Sequence, residues 1–162
     1  MIDETDRKIL NILQGNARAS HSDIAREVGM AASAVFERIR KLEKRGIIQG
    51  YETRLNPRLL NVGLVAFIFI QAKEHLGTLE TGKRLARIPE ILEIHDVAGE
   101  DCYLVKVRVA DTEALSVLLR EKIGPIETIT STRTTIVLAT VKETAQLPLD
   151  ENQDTFKKVK EA

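Results

Sequence analysis

Three helical stripes, each with a glycine stop and the first two with a capping start, crowd into the first 46 residues, and nothing else in the chain limits its fold as sharply. Asp3 stands where an N-cap stands, with Asp6 three residues on in the capping-box place. Ile9, Leu10, Ile12 and Leu13 then make one apolar stripe up to Gly15. Ser20 followed by Asp23 repeats the start signal, and Ile24, Ala25 and Val28 form a second stripe ended by Gly29. A third stripe, Val35, Ile39 and Leu42, falls at i, i+4 and i+7 and ends at Gly46. Helices this short are not stable alone. The spacing therefore predicts three helices packed on one another.

The third segment has two faces. With Val35, Ile39 and Leu42 turned inward, 100° per residue sends Ser33, Glu37, Arg40, Lys41 and Lys44 to the opposite side. Two short helices joined at Gly29, the second basic on its outer face, describe a helix-turn-helix. Ile47, Ile48, Gly50 and the alternating stretch from Tyr51 to Leu55 read as a small β-hairpin, the wing. The 24 basic and 24 acidic side chains cancel overall. They divide unevenly: residues 1–62 carry 11 basic against 8 acidic, the rest 13 against 16. The excess permits nucleic-acid binding without demanding it.

Asn56-Pro57 breaks the periodicity. After Gly63 the run LVAFIFIQA has no polar alternation, which predicts a strand covered on both faces. A helical stretch with Leu79, Leu85, Ala86 and Ile88 follows. Next come strands at Ile91–Ala98 and Cys102–Val109, joined by the turn Gly99-Glu100-Asp101. A helix capped by Asp111 carries Leu115, Leu118, Leu119 and Ile123, and a threonine-rich strand covers Ile129–Val141. This βαββαβ order is the ferredoxin-like split βαβ arrangement, with both helices on one face of an antiparallel sheet. The whole is α+β. The other face of that sheet would show Val65, Phe67 and Phe69 to water. At ~1.5–3 kcal/mol for each such side chain buried, a second copy is expected to cover it, as an obligate dimer.

Several classes fall away. One cysteine, Cys102, offers no internal disulfide and no zinc spacing. The longest apolar run, Leu64–Ile70, is far short of the ~20 residues that cross a bilayer, and MIDETDRKIL has no signal-peptide pattern. No membrane association, catalytic residue, metal or cofactor is expected, and the chain reads as cytoplasmic.

The stretches IDETDRKILNILQGNAR, DIAREVGMAASAVFERIRKLEKRGIIQGY, GEDCYLVKV and TSTRTTIVLATVKE resemble, in that order, the Lrp/AsnC or feast/famine family of prokaryotic transcription regulators. The resemblance implies a winged helix-turn-helix over 1–50, a hinge strand and linker over 51–62, and a ferredoxin-like dimerisation and effector domain over 63–145. Residues 146–162 remain as a polar, loosely ordered tail. It also implies homodimers assembling to octamers on the nucleoid, with an amino acid lodged between dimers. Here that ligand would meet Gly99, Glu100, Asp101 and Cys102 of the turn and Thr130, Thr132 and Thr134 of the last strand. Two departures stand out. Cys102 occupies the place of the family's aspartate, with Asp101 one residue earlier. Met30-Ala31-Ala32-Ser33 lacks the usual capping hydroxyl at the start of the recognition helix.

On double-stranded DNA, Arg38, Arg40, Lys41, Lys44 and Arg45 would neutralise phosphates, while Ser33, Ala34 and Glu37 reach base edges. Arg38, on the flank, could serve either purpose. Glu37 could pair with Lys41 or accept from a cytosine amino group. Two rivals remain at this point. One is a siroheme-decarboxylase-like enzyme drawing on His21, His75 and His95. The other is a DNA-independent amino-acid sensor.

Overall fold

All three expected helices form, the first two where their caps put them. Helix α1 (Glu4–Gly15) opens with a full capping box: the Asp6 N–H donates to the Asp3 carboxylate at 2.7 Å and the Asp3 N–H to that of Asp6 at 3.2 Å. Helix α2 (His21–Val28) is capped by the Ser20 hydroxyl, which accepts from the Asp23 N–H at 3.1 Å. It ends on Gly29 at φ 70°, a left-handed turn that costs glycine nothing. Helix α3 (Ala32–Lys44) follows from Ala31, which makes no side-chain cap. Ile9, Ile24, Ala25, Val35 and Ile39 close on each other as one core. The computed structural model describes residues 2–75 and 78–149. They divide into a helical unit, the chain up to Arg54 with 143–149, and a sheet unit, Leu55–Lys142.

The expected wing hairpin does not form a ladder. The N–H groups of Ile47 and Ile48 both turn back to the Leu42 carbonyl, at 2.9 and 3.3 Å, so the two residues finish α3 and start no strand. Among the described residues no strand faces 51–56, and without one an extended segment is not a sheet. The hinge strand expected over 51–62 is likewise absent. The Asn56 side chain accepts from Arg58 N–H at 3.1 Å and Leu59 N–H at 3.4 Å, folding 57–61 into a turn that passes through Asn61 at φ 56°.

The sheet unit has the expected order: β1 (Leu64–Ala72), α4 (Glu80–Leu85), β2 (Ile91–Asp96), β3 (Tyr103–Val109), α5 (Thr112–Val117) and β4 (Ile129–Ile136). The single helix expected after Asp111 changes winding instead. Asp111 caps α5, and Leu118–Ile123 continue it as a π-helix. All strand pairs are antiparallel in the order β2-β3-β1-β4. Ala66, Ile68 and Ile70 join Tyr103, Val105 and Val107 beneath Leu85, Leu115, Leu118 and Ile123 as the core. Strand β4 stops at Ile136, short of the expected Val141. Ile136 faces Ala66, only two residues of β1 remain beyond that pair, and the last bond is Val137 N–H to the Val65 carbonyl at 2.9 Å. The helix-free face carries Val65, Phe67 and Phe69. Phe69 lies under the Arg133 guanidinium, 4.0 Å from its ring centre.

The expected loose tail is corrected at its start. Residues 146–149 lie against α1, tied by hydrogen bonds to Asn11 and Gln14. The remainder of that tail is outside the described residues.

Candidate nucleic-acid interface and effector site

The outer side of α3 is built by its inner side. Because Val35, Ile39 and Leu42 are all but fully buried, Ser33, Glu37, Arg40, Lys41 and Lys44 are forced outward, and all five are exposed. Ala34 is half-buried on the flank, and Arg45 is exposed at the C-cap. Glu37 leans to Arg40, at 3.8 Å, and not to Lys41. A 3.8 Å pair between exposed side chains is weak, which leaves Glu37 and Arg40 able to turn toward another partner.

Arg38 is the exception among the expected phosphate ligands. Its guanidinium is held by Asp3 at 2.6 Å and Asp6 at 2.7 Å, the same carboxylates that cap α1. The Asp6 side chain is only 11% exposed and that of Arg38 31%. The Asp6 N–H and the Arg38 guanidinium hold the Asp3 carboxyl below its ordinary range. Arg38 therefore fastens α3 to α1 through one nitrogen of its guanidinium. Its i+3 relation to the core residue Val35 places it at the edge of the inner face, but only the packing reveals which acids it meets.

On the other flank of α3 lies a feature that the stripe pattern does not single out. Phe36, 46% exposed, packs edge-on against the His21 ring with centroids 5.4 Å apart. Both border a concavity of about 480 Å³ shared with Leu13, Arg40 and Tyr51. The Tyr51 phenol donates to Glu43 at 2.9 Å, and burial together with that carboxylate pushes its pKa up to about 12. Phe36 sits one residue beyond Val35, 100° round the helix, which is the one signal in the sequence that would have placed it there.

In the sheet unit, the turn between β2 and β3 is anchored to the neighbouring strands. The Cys102 N–H donates to the Ile70 carbonyl at 2.9 Å, and its thiol meets the Ala72 backbone N–H and carbonyl, each at 3.4 Å. Asp101 pairs with Arg133 at 3.1 Å, and the Glu100 carbonyl accepts from Gln71 at 3.4 Å. Ser131 in turn donates to Gln71 at 3.0 Å. The threonines divide differently. Thr132 stands opposite Ile70 and Thr134 opposite Ile68, so both face the helix-covered side. The Thr130 hydroxyl is spent on the Gln71 carbonyl at 3.2 Å. The structure thus brings Gln71, Ser131 and Arg133, not Thr132 and Thr134, to the turn. A period of two makes that a choice of one residue.

Tyr103, next in the turn motif, points inward. Its phenol donates to Glu74, which also accepts from the Thr81 N–H at 3.1 Å and hydroxyl at 3.0 Å. Burial pushes Tyr103 up to about 12, aided by Glu74. For Glu74 itself burial acts upward, yet these donors outweigh it and its pKa is lowered. His21 belongs to the helical unit, while His75 and His95 lie exposed in the sheet unit. Among the described residues, no helix is long and apolar enough to cross a membrane.

Residues 2–49 match the winged helix-turn-helix DNA-binding family, and residues 65–147 the Lrp/AsnC ligand-binding domain. The HTH-type transcriptional regulator FL11 of Pyrococcus horikoshii is 37% identical over 148 residues, spanning 91% of this chain and 97% of its own. A transcriptional regulator from Neisseria meningitidis, solved with L-methionine, superposes with a TM-score of 0.88 at 29% identity, covering 93% of this chain and 98% of its own. A feast or famine regulatory protein of M. tuberculosis, also complexed with L-methionine, gives 0.83 at 36% identity, covering 91% and 99%. These relatives regulate transcription and are not enzymes, which closes the enzyme reading, and the match over 2–49 closes that of a sensor without DNA. With a helix-turn-helix unit and an Lrp/AsnC sheet unit matched in order along one chain, the protein belongs to the Lrp/AsnC family of transcription regulators.

Proposed function

We propose that this regulator reads DNA with the outer face of α3 and adjusts that reading to an amino acid bound at the β2–β3 turn. The observation that carries the first part is the row Ser33, Glu37, Arg40, Lys41 and Lys44, exposed because Val35, Ile39 and Leu42 are buried. Arg40, Lys41, Lys44 and Arg45 neutralise phosphates. Ser33, Ala34 and Glu37 meet base edges near the start of the helix. Two copies join through Val65, Phe67 and Phe69, presenting two α3 helices to a near-palindromic site. Further assembly to an octamer lets several such pairs engage one duplex and raises avidity. The protein works in the cytoplasm, on the nucleoid.

For the ligand, the turn offers both signs that an amino acid zwitterion needs. Asp101 and the Glu100 carbonyl accept from an ammonium group, and Arg133 donates to a carboxylate. Gly99 and Cys102 supply backbone at the turn, and Thr130 borders it from β4. Support for an amino acid, methionine among them, comes from the two methionine-bound relatives. Thr132 and Thr134 leave the ligand set because they face the helix-covered side.

Light scattering with each of the twenty amino acids tests assembly and effector together. A change in mass with at least one amino acid, abolished in Arg133→Ala, is expected. Absence of any response would remove the effector half. Affinity for a duplex from its own upstream region, measured against salt, tests the α3 half. A linear fall of log affinity with log salt is expected, and a salt-independent affinity would refute it.

A further inference from the structure

Helix α1 ends without a basic residue in its last turn, so its final carbonyls lack the usual complement. A segment 132 to 138 residues further along the chain makes good that lack. The Gln146 side chain donates to the Gln14 carbonyl at 2.9 Å. The Gln14 carboxamide then treats Leu147 as a strand would: it accepts from the Leu147 N–H at 2.7 Å and donates to the Leu147 carbonyl at 3.1 Å. Asn11, one turn earlier on the same face of α1, donates to the Leu149 carbonyl at 3.2 Å. Arg54 holds the start of the segment at the Glu143 carbonyl, at 3.1 Å.

Apart from the Gln146 side chain, these contacts read the backbone of the segment, so their specificity lies largely in spacing: two amides three residues apart on α1 meet the chain at Leu147 and Leu149. From α1 the connection continues. Asp3 and Asp6, at its other end, grip Arg38 of α3. We propose that residues 143–149 are a working strap of the DNA-binding unit, with Gln14 a positioning residue. By holding the last turn of α1, the strap keeps Asp3 and Asp6 where they orient α3. The proposal rests on α3 being the helix that meets DNA. It adds that the DNA-binding unit is discontinuous in sequence, completed by chain that follows the sheet unit.

The test uses the full chain, Gln14→Ala, Gln146→Ala and a chain ending at Lys142. Two quantities are read: hydrogen exchange at the Gln14, Gly15 and Asn16 amides, and affinity for a duplex from the protein's own upstream region across a salt series. Exchange at those amides is expected to quicken about tenfold or more in the shortened chain, and less in Gln146→Ala. Affinity should fall about fivefold or more with the salt slope unchanged, because a positioning residue neutralises no phosphate. Unaltered exchange in the shortened chain would overturn the strap. So would a fall in affinity accompanied by a shallower slope, which would mark direct phosphate binding by the C-terminal segment. Gln146→Ala leaves α1's own sequence intact, so it keeps the test decisive if Gln14→Ala unfolds. Should Lys41→Ala with Lys44→Ala cost no affinity, the reading of α3 fails, while the exchange measurement still judges the strap.

Discussion

The helical unit and the sheet unit bury their apolar side chains in different ways. In the helical unit Ile9, Ile24, Val35 and Ile39 find one another across three short helices, and what remains outside is mostly polar. In the sheet unit one face is sealed by Leu85, Leu115, Leu118 and Ile123. The other keeps Phe67 and Phe69 half-buried, one of them under an arginine. A unit whose core closes on itself can be specified by local signals. A sheet covered on one side leaves Phe67 and Phe69 half-exposed among the described residues, and this is the physical ground on which a second copy is proposed.

The strongest way to break this contrast is to charge the open face. Phe67→Lys should weaken self-association about a hundredfold or more by sedimentation, since it sets a second positive charge opposite Lys106 of β3, and such a charge buried at an apolar interface costs several kcal/mol. Helicity of the first unit should be unchanged. A dimer that survives would mean the pairing runs elsewhere. Next in size, Lys41→Ala with Lys44→Ala should lower DNA affinity about tenfold or more. The slope of log affinity against log salt should flatten by about 0.9 for each phosphate no longer neutralised.

Arg38→Ala sharpens the distinction between reading and positioning on one helix. Loss of its two charged hydrogen bonds should cost the helical unit about 2 kcal/mol, seen in thermal melting, and leave the salt slope as it was. The units should also differ in pH response. Asp3 has its carboxyl lowered by the Asp6 N–H and by Arg38, so its contribution is present above the ordinary carboxylate range. It is lost as pH falls through the lowered value. Melting of the helical unit should therefore soften below about pH 4. Tyr103, raised to about 12, acts at the other end. Its contribution to the sheet unit is whole below about pH 10 and lost as pH climbs toward about 12. The smallest effect is expected from Ser20→Ala, about 1 kcal/mol for one helix cap.

The helical unit was the more legible of the two. Asp3 with Asp6, and Ser20 with Asp23, are signals confined to four residues, and each formed the bond that its spacing announces. The stripe Val35, Ile39, Leu42 settled which side of α3 faces out. Arg38 shows where such reasoning stops: its flank position was visible, but its partners lie more than thirty residues away and are met only through packing. The last strand shows the same limit differently. A threonine-rich stretch announces a strand, yet nothing in it says which alternate residues face the turn. Pairing with β1 sent Ser131 and Arg133 there and Thr132 and Thr134 to the other side.

By itself the sequence determined what depends on neighbours a few positions apart: the caps, the periods, the order βαββαβ and the inner and outer sides of α3. Tertiary structure alone decided what depends on distant parts of the chain. It placed Arg38 between two capping carboxylates, ended β4 at Ile136 opposite Ala66, kept the wing from pairing, and laid residues 146–149 along α1. The reason is one of range. Helix signals act through bonds within a turn, whereas a strand edge, an ion pair or a strap exists only once a partner far away in the chain has arrived beside it.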